Sequence, residues 1–387
     1  MKKKKRFVTL FPPAANVHLL KDVGMIPYIL YRDYGYDATL VCFRNETAYP
    51  ALDREVKGLK IHFLPEEKNY AFGRISRQAV AYLRKHAREI DVLNLYHNTQ
   101  ETLFYGFIYK LFNPEGIVYI KLDINIERFD AQKTQRIHAW RLKGYNWFFR
   151  HIADVVSCEL PSAFDYLEKA IPALKGKLLL LPNGIDGKAI ENEGIQVLPA
   201  GEKENLLVAV GRIGAPEKNH ELLLRAAAQA DLKDWKIALV GPVSKAFREW
   251  SESFLASRAA LKKQVVFTGP ITGRTELYGW YNRAKVCCLT SRYESFGLVL
   301  VEALYFGNYL LTTPVAPAAF LTDSERVGRI VCTEEELAGM LGQIAGGAFD
   351  TEPFYGLARN YSERFRWSAI LSGLDRALRT SLDRRKK

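Results

Sequence analysis

The sequence predicts an α/β protein built on two doubly wound parallel sheets. Short apolar runs alternate with amphipathic segments through the first half, and the same alternation restarts after a polar stretch near residues 184 to 204. Strands that alternate with helices in this way are typical of parallel sheets covered by helices on both faces. A chain of 387 residues is also long enough to form two domains of ordinary size.

The predicted strands are short and rich in apolar and β-branched residues. In the first half they are "RFVTLF", "DATLVCF", "LKIHFL", "DVLNLY", "GIVYIKL", "DVVSCEL" and "KLLLLP". In the second half they are "LLVAVG", "KIALVG", "QVVFTG", "KVCCLT" and "NYLLTT". Segments such as "RQAVAYLRKHAREI" and "ETLFYGFIYKLF" have helical periodicity and separate the strands.

This rhythm predicts three parts. Residues 1–183 form a first Rossmann-like domain, residues 184–361 a second one, and residues 362–387 a helical segment that returns to brace the first domain. That last segment contains "SERFRWSAILSGLDRALRTSL".

Charge and cysteine content narrow the function classes only partly. The net charge of +12 favours acidic partners such as nucleotides, nucleic acid or an anionic membrane surface. The five cysteines show no metal-type or C-x-x-C spacing, so we expect buried thiols in a reduced compartment. We expect a cytoplasmic location, because the apolar stretch in "MKKKKRFVTLFPPAANV" is too short for an export signal and no run reaches membrane-spanning length. The Lys2 to Arg6 cluster leaves open a solvated tail or a contact with the inner face of the cytoplasmic membrane.

The commonest nucleotide and metal motifs are missing. The chain has no G-x-G-x-x-G, and "GPITGRT" is one residue short of a P-loop and ends in Arg where Lys is needed. Classical dehydrogenases and P-loop ATPases are therefore disfavoured. No H-x-x-x-H or H-E-x-x-H pattern predicts a metal site.

Two segments of the second half are suited to a diphosphate. In "LLVAVGRIGAPEKNHELLLRAAA" a strand reaches Gly211, and a loop then offers Arg212 and Lys218 before a helix that starts near Asn219. The carboxyl ends of parallel strands are where α/β sheets bind ligands, and two cations there match a diphosphate.

The second segment is "SRYESFGLVLVEAL", with two glutamates eight positions apart. A helix that starts after the Ser-Phe-Gly turn would direct backbone amides at an anion. Glu302, inside the apolar run, needs a polar partner and could accept hydrogen bonds from ribose hydroxyls, while Glu294 would face the group beyond the phosphates. The residues predicted to bind this nucleotide diphosphate are Gly211, Arg212, Lys218, Ser295, Phe296, Gly297, Leu298 and Glu302.

These segments, together with "LPNGID" and "VVFTGPITGRTELYGWYNRAK", resemble the second domain of GT-B-fold retaining glycosyltransferases of the family-4 group. The resemblance implies two Rossmann-like domains facing a cleft, with a C-terminal helix that returns to the first. It implies that Arg212 and Lys218 neutralise the donor diphosphate, that Glu302 binds ribose and that Glu294 lies by the donor sugar. It also implies retention of anomeric configuration, no required cofactor or metal, and a UDP-sugar donor in preference to a GDP-sugar.

The first domain departs from the family pattern. The glycine-rich loop expected after the first strand is replaced by "FPPAANVHLLKDVG", so Lys21, Asp22 or Gly24 are the candidates for the acceptor or sugar side. A histidine common in relatives is replaced in "GIVYIKLDIN" by Lys121 and Asp123. Asp123 is our candidate catalytic replacement, with a helix or turn cap as the alternative.

His97, in "NLYHNTQE", matches another histidine frequent in the family, and we expect it in the active-site cleft rather than in a purely structural role. The predicted catalytic residues are Glu294, Arg212, Lys218, Asp123 and His97.

The segment from residue 136 to 154, "RIHAWRLKGYNWFFRHIAD", interleaves cations with aromatic rings. It suits a helix at a lipid interface or an aromatic platform for a sugar or base, and the alternative is an amphipathic helix with its rings in the core.

The predicted function is transfer of a hexose from a nucleotide sugar to a glycan or lipid-linked glycan, in cell-surface polysaccharide or glycoconjugate biosynthesis, without a nucleic-acid partner. A GT-B-fold epimerase or hydrolase is the alternative. A non-catalytic basic protein that binds membrane or nucleic acid is disfavoured by the two glutamates together with Arg212 and Lys218.

Overall fold

The computed structural model describes residues 4–66, 75–123 and 138–385, except the side chains of residues 138–142. The chain divides into two compact units. Unit 1 comprises Met1–Gly184 and Trp367–Lys387, and unit 2 comprises Ile185–Arg366.

Unit 1 contains a parallel sheet of seven strands in the order β3-β2-β1-β4-β5-β6-β7. The strands are β1 (Arg6–Leu10), β2 (Asp37–Cys42), β3 (Lys60–Phe63), β4 (Val92–Tyr96), β5 (Ile117–Leu122), β6 (Val155–Cys158) and β7 (Leu178–Leu180). The helices are α1 (Asn16–Leu19), α2 (Asp22–Tyr34), α3 (Arg77–His86), α4 (Gln100–Phe112), α5 (His138–His151), α6 (Pro161–Ala170) and, at the end of the chain, α16 (Trp367–Arg385). Short 3-10 turns lie at Pro50–Leu52, Ala87–Glu89 and Pro172–Leu174.

The central strands of this sheet are buried on both faces, as their apolar composition requires. All residues of β4 and β5 are buried. In register, Phe7 pairs with Ala38 of β2 on one side and with Val92 of β4 on the other.

The C-terminal helix packs on unit 1, which confirms the predicted return. Its buried residues recur every three to four positions and form one apolar stripe. They are Trp367, Leu371, Leu374, Leu378 and Leu382. The hydroxyl of Tyr36 donates to Asp375 Oδ1 at 2.8 Å and fixes the helix against the end of α2.

The return begins at Trp367, whereas the sequence-based boundary was residue 362. Residues 362–366 stay with unit 2 because the Ile185 amide donates to the Phe365 carbonyl at 2.8 Å and Arg366 forms an ion pair with Glu191 at 2.8 Å. At the other junction the contacts change between Gly184 and Ile185, against the expected 183/184.

Unit 2 contains a parallel sheet of six strands in the order β10-β9-β8-β11-β12-β13. The strands are β8 (Glu204–Val210), β9 (Lys236–Val240), β10 (Val265–Gly269), β11 (Ala284–Leu289), β12 (Tyr309–Thr312) and β13 (Gly328–Ile330). The helices are α7 (Gly187–Asn192), α8 (His220–Gln229), α9 (Lys245–Ala256), α10 (Ala259–Gln264), α11 (Arg274–Arg283), α12 (Leu298–Tyr305), α13 (Ala318–Leu321), α14 (Glu334–Ala345) and α15 (Glu352–Ser362). Short 3-10 turns lie at Ala200–Glu202 and Glu363–Phe365.

The twelve strands predicted from apolar runs are confirmed as β1 to β12. The sequence analysis missed β13, since a three-residue strand beside β12 is too short to show a hydrophobic period.

All five cysteines are free thiols, and four of them are buried. The expectation that all five are core residues is wrong for Cys332, which is exposed just after β13, where its amide donates to Glu336 Oε2 at 2.7 Å. In the part of the chain that the structure describes, no helix is both long and apolar enough to span a bilayer.

Candidate functional site

The sheet of unit 2 has a topological switch point between β8 and β11. The chain leaves β8 toward β9 and β10 on one side, and β11 toward β12 and β13 on the other. The connections that follow these two neighbouring strands diverge, which opens a crevice at their carboxyl ends. The two candidate segments, residues 211–219 and 290–297, are the loops at this point.

The loop after β8 is shaped by glycines at a close backbone approach. Gly211 has φ 153° and donates to the Val240 carbonyl at 2.9 Å. A Cβ on Gly241, which has φ 135°, would lie 2.0 Å from the Gly211 carbonyl oxygen. Neither position accepts a side chain without a shift of the backbone, so the ends of β8 and β9 stay close.

The loop after β11 is bonded directly to the loop after β8. Lys218 Nζ forms an ion pair with Glu294 Oε1. The Ser291 hydroxyl donates to the same carboxylate oxygen at 2.8 Å, and the Thr290 hydroxyl donates to the Lys218 carbonyl at 3.0 Å. The structure therefore brings two of the predicted catalytic residues into contact, although they are 76 positions apart.

Arg212 has a different environment. Its side chain is 74% exposed and forms an ion pair with Glu217 of the same loop. Each of the two predicted phosphate cations is thus paired with a carboxylate. Sequence reasoning missed Glu217 and Ser291, which have no motif of their own.

His220 lies directly behind this loop, at the start of α8. Its ring is buried, and Nδ1 accepts the Gly214 amide at 3.2 Å, a contact that needs a neutral ring. Burial, with a smaller effect of Lys218, lowers the pKa of His220 to about 4. The ring therefore supports the loop as an uncharged acceptor at neutral pH.

The predicted anion-binding turn is present at the start of α12. Gly297 has φ 81° and precedes the helix at Leu298, which is the left-handed geometry that glycine adopts readily. Phe296 is buried at 2% exposure and fixes the turn, while Ser295 is exposed and Leu298 is half-buried.

Glu302 has the polar partner that its apolar surroundings required. Tyr281, from α11, donates its hydroxyl to Glu302 Oε2 at 3.0 Å. Burial raises the pKa of Glu302, and Arg274 nearby opposes that effect. Among the described residues, no hydrogen bond reaches Oε1. The sequence analysis missed Tyr281 and Arg274.

The sheet of unit 1 has its own switch point, between β1 and β4. A crevice of about 430 Å³ lies there. It is lined by Leu10, Phe11, Pro12, Pro13, Leu95, Tyr96, His97, Thr99, Glu101, Thr102 and Tyr105. His97 lies in this crevice with φ 63°, and its amide donates to the Lys121 carbonyl at 2.9 Å.

Lys121 is one of the two residues that replace the histidine common in relatives. Its side chain is fully buried below the carboxyl end of the sheet. Its Nζ lies 2.6 Å from Glu159 Oε1 and 3.4 Å from Asp22 Oδ2. Asn183 donates to the same Glu159 oxygen at 2.8 Å. Burial raises the pKa of Glu159, although the adjacent ammonium favours the charged form. Asp22, a candidate for the acceptor side, is therefore already paired with Lys121 inside unit 1.

The other first-domain candidates are placed as follows. Lys21 is exposed just before α2, and Asp123 is exposed at the end of β5. Gly24 is buried, and a Cβ there would lie 2.4 Å from the Leu19 backbone, so the structure gives this glycine a packing role.

The aromatic and basic segment is described in part, as α5. Phe148 and Phe149 are buried in the core, whereas Trp147 is 52% exposed and its ring lies 5.3 Å from that of His151. Lys143 and Arg150 are exposed. Arg136 lies outside the described residues, as does the side chain of Arg141.

Within residues 4–66, 75–123 and 138–385, no group of three or more His, Cys, Asp or Glu side chains is arranged to hold a metal ion.

Comparison with known proteins identifies the region that carries this site. Residues 191–338 match the family model described as glycosyl transferases group 1. The matched residues lie within unit 2. The matched residues include both loops of the switch point, so the predicted resemblance is confirmed.

Curated relatives that match part of this chain include D-inositol 3-phosphate glycosyltransferases. The protein of that name from Kribbella flavida is 30% identical over 195 residues, which are 47% of this chain and 46% of the relative. A second one, from Catenulispora acidiphila, is 30% identical over 42% of this chain and 40% of the relative. The chain thus spans about half the length of the curated relatives it matches.

Solved structures match over nearly the whole chain. HepE of Anabaena, in complex with UDP, has a TM-score of 0.70 at 18% identity, with 98% of this chain and 100% of that chain covered. Sucrose-phosphate synthase of Thermosynechococcus elongatus has a TM-score of 0.70 at 20% identity, with 97% and 99% covered. At these identities the likeness shows the fold, and it confirms the predicted GT-B class with two Rossmann-like domains.

Proposed function

We propose that this protein is a retaining glycosyltransferase that moves a hexose from a nucleotide-diphosphate sugar to a glycan or lipid-linked glycan, in the synthesis of a cell-surface polysaccharide or glycoconjugate. The observation that carries the proposal is the Lys218–Glu294 ion pair at the β8/β11 switch point, inside the region that matches the family. The pair supports the proposal because it holds a partly buried cation beside a carboxylate at the carboxyl ends of parallel strands, where α/β sheets bind ligands.

The chemistry follows from the charges. The acceptor hydroxyl oxygen forms a bond to the anomeric carbon as the carbon–oxygen bond to the diphosphate breaks, and the bonding pair stays on the diphosphate. Arg212, Lys218 and the amides at the start of α12 stabilise the charge that develops on this leaving group. The proton of the acceptor hydroxyl passes to the departing phosphate oxygen. Attack and departure take place on the same face of the sugar, so the anomeric configuration is retained.

The donor phosphates have to compete with carboxylates that already pair with both cations. In the structure Glu217 pairs with Arg212, and Glu294 pairs with Lys218. A diphosphate, with its higher charge, replaces these partners, and Glu294 then becomes available to the sugar hydroxyls. Glu302 Oε1 accepts a hydrogen bond from the ribose while Tyr281 keeps Oε2 in place.

We infer UDP rather than GDP as the nucleotide. The structural relatives include HepE of Anabaena in complex with UDP-glucose as well as with UDP, at 18% identity. The leaving-group charge is met by two cations and backbone amides, so the proposed reaction needs no metal ion.

We also propose that the acceptor is reached at an anionic membrane surface, through the exposed face of α5. Trp147, Lys143 and Arg150 lie on that face, and an exposed indole beside cations is typical of interfacial contacts.

The test is a product analysis with the full chain. A panel of UDP- and GDP-sugars is incubated with lipid-linked and soluble glycan acceptors, and the anomeric configuration of the product is determined by NMR. We expect transfer with retention from one nucleotide sugar, unchanged in EDTA, and none from the Lys218→Met variant. Release of free sugar or of an epimer without acceptor would replace the proposal with a hydrolase or epimerase, and loss of wild-type transfer in EDTA would overturn metal independence.

A further inference from the structure

The crevice of unit 1 is lined mainly by apolar and aromatic side chains. It lies at the β1/β4 switch point and has a volume of about 430 Å³, enough for a group of one ring or a short branched chain. The glycine-rich loop that the family has after its first strand is replaced in this chain by a segment that begins with Phe11, Pro12 and Pro13. All three residues line the crevice.

The rings of Phe11, Tyr96 and His97 form one wall of the crevice, and contacts between rings hold this aromatic wall in place. The Phe11 ring meets three other rings edge-on, with centroids 5.5 Å from His18, 5.5 Å from Tyr96 and 5.9 Å from His97. Edge-to-face pairs at these distances are favourable, so the wall is preorganised and not free to collapse into the crevice.

The hydroxyl groups around the crevice are directed into the fold. Tyr96 donates its hydroxyl to the Asp22 carbonyl at 3.0 Å, and the Tyr105 hydroxyl accepts the Ser76 amide at 2.8 Å. Thr102 donates to the Tyr96 carbonyl at 2.6 Å, and Thr99 caps α4 by accepting the Thr102 amide at 3.3 Å.

This lining is poorly matched to a sugar ring. A sugar ring carries a hydroxyl on most of its carbons, and burying these without partners is costly. Among the described side chains that line the crevice, His97 and Glu101 are the polar groups that no hydrogen bond occupies. The walls therefore favour a hydrocarbon group with at most one or two polar atoms at its edge.

We propose that this crevice binds an apolar group of the acceptor, an aromatic aglycone or the first isoprene units of a lipid carrier, and not its sugar. That the ligand is an acceptor rests on the proposed function, whereas the affinity of the crevice for an apolar group does not. Phe11 is the main specificity-determining residue, because its ring packs against two other residues of the lining, Tyr96 and His97.

The experiment measures binding to the full chain without donor and without turnover, so it is independent of transferase activity. Methyl, phenyl and citronellyl glucoside share one sugar and differ only in the aglycone. Their dissociation constants are determined by ligand-observed NMR titration. We expect phenyl or citronellyl glucoside to bind at least about tenfold tighter than methyl glucoside, as burial of a ring-sized apolar group predicts. Tighter phenyl binding assigns an aromatic aglycone, and tighter citronellyl binding assigns an isoprenoid.

Two variants test whether the aglycone preference arises in the crevice. Phe11→Asn should abolish the preference for the larger aglycone, and Glu101→Trp should block the crevice from the surface of α4 without touching the core. Phe107→Asn, on the same helix with a 45% exposed ring away from the crevice, is the matched control and should keep the preference. Circular dichroism and the melting temperature establish that each variant is folded. Equal affinity for the three glucosides, or a preference that survives both Phe11→Asn and Glu101→Trp, overturns the proposal.

Discussion

Lys218 and Glu294 form an ion pair across the two loops that follow β8 and β11, with side chains only 18% and 13% exposed. The Ser291 hydroxyl holds the same carboxylate oxygen. The pair positions an ammonium group at the switch point, where the charge of the proposed leaving group develops.

Lys218→Met should lower both stability and transfer, because it leaves a partly buried carboxylate without its cation. Loss of one partner from such a pair costs about 1 to 3 kcal/mol of unfolding free energy. The double variant Lys218→Met/Glu294→Gln should recover most of that loss and remain inactive. Denaturant unfolding and a transfer assay on the three proteins give the comparison. Recovery of transfer in the double variant would show that the pair is only structural.

Glu302→Gln should weaken donor binding without destabilising the fold. Burial raises the pKa of Glu302, so the charged form is disfavoured in the folded protein and a neutral amide of the same shape is tolerated. The Gln amide has one acceptor oxygen in place of two. If Tyr281 keeps that oxygen, the NH2 group faces the ribose, so UDP-sugar binding should weaken about tenfold. Calorimetric titration and thermal melts measure the two effects. The exposed Glu335→Gln is the control, and donor affinity equal to wild type in folded Glu302→Gln would remove Glu302 from the site.

The buried neutral ring of His220, behind the loop after β8, should make the free energy of unfolding sensitive to acid. Its folded pKa is about 4, below the ordinary value of 6.5, so the unfolded chain takes up the proton first as pH falls. The stability associated with the neutral ring is therefore complete above pH 6.5 and is lost between pH 6.5 and 4. Wild type should lose about 2 kcal/mol more than His220→Gln over this range. Urea unfolding from pH 7 to 4.5 tests this, with the exposed His151→Gln as control, and parallel pH profiles for wild type and His220→Gln would contradict it.

Replacement of Lys143 and Arg150 by Gln should reduce binding to anionic vesicles. Both cations are exposed on α5 beside Trp147, and each contributes about 1 kcal/mol near an anionic surface, an effect that salt screens. Cosedimentation with phosphatidylglycerol vesicles at two salt concentrations measures it. The double variant Lys262→Gln/Lys263→Gln removes the same charge from the exposed surface of α10 in unit 2. If both double variants bind vesicles equally, α5 is not the contact.

The sequence predicted the strands, the switch-point loops and the Glu302 environment, because these depend on local patterns such as apolar runs, a glycine turn and a carboxylate among leucines and valines. It did not predict that Lys218 would meet Glu294 or that Lys121 would be buried against Glu159. Those contacts depend on which strands are neighbours in the sheet, and no local pattern encodes that order. The apolar crevice was missed for the same reason, since β1 and β4 bring Phe11 and His97 together from distant segments.

In the proposed reaction Arg212 and Lys218 hold the donor diphosphate at the β8/β11 switch point. The most direct measurement is thermal stabilisation of the full chain by UDP compared with uridine, in wild type, Arg212→Gln, Lys218→Met and the exposed control Arg248→Gln. A ligand that binds only the folded protein raises its melting temperature by mass action. We expect UDP to stabilise wild type and Arg248→Gln far more than uridine does, and we expect this difference to shrink in Arg212→Gln and Lys218→Met. Equal stabilisation by UDP and uridine, or a UDP effect unchanged in both site variants, would contradict it.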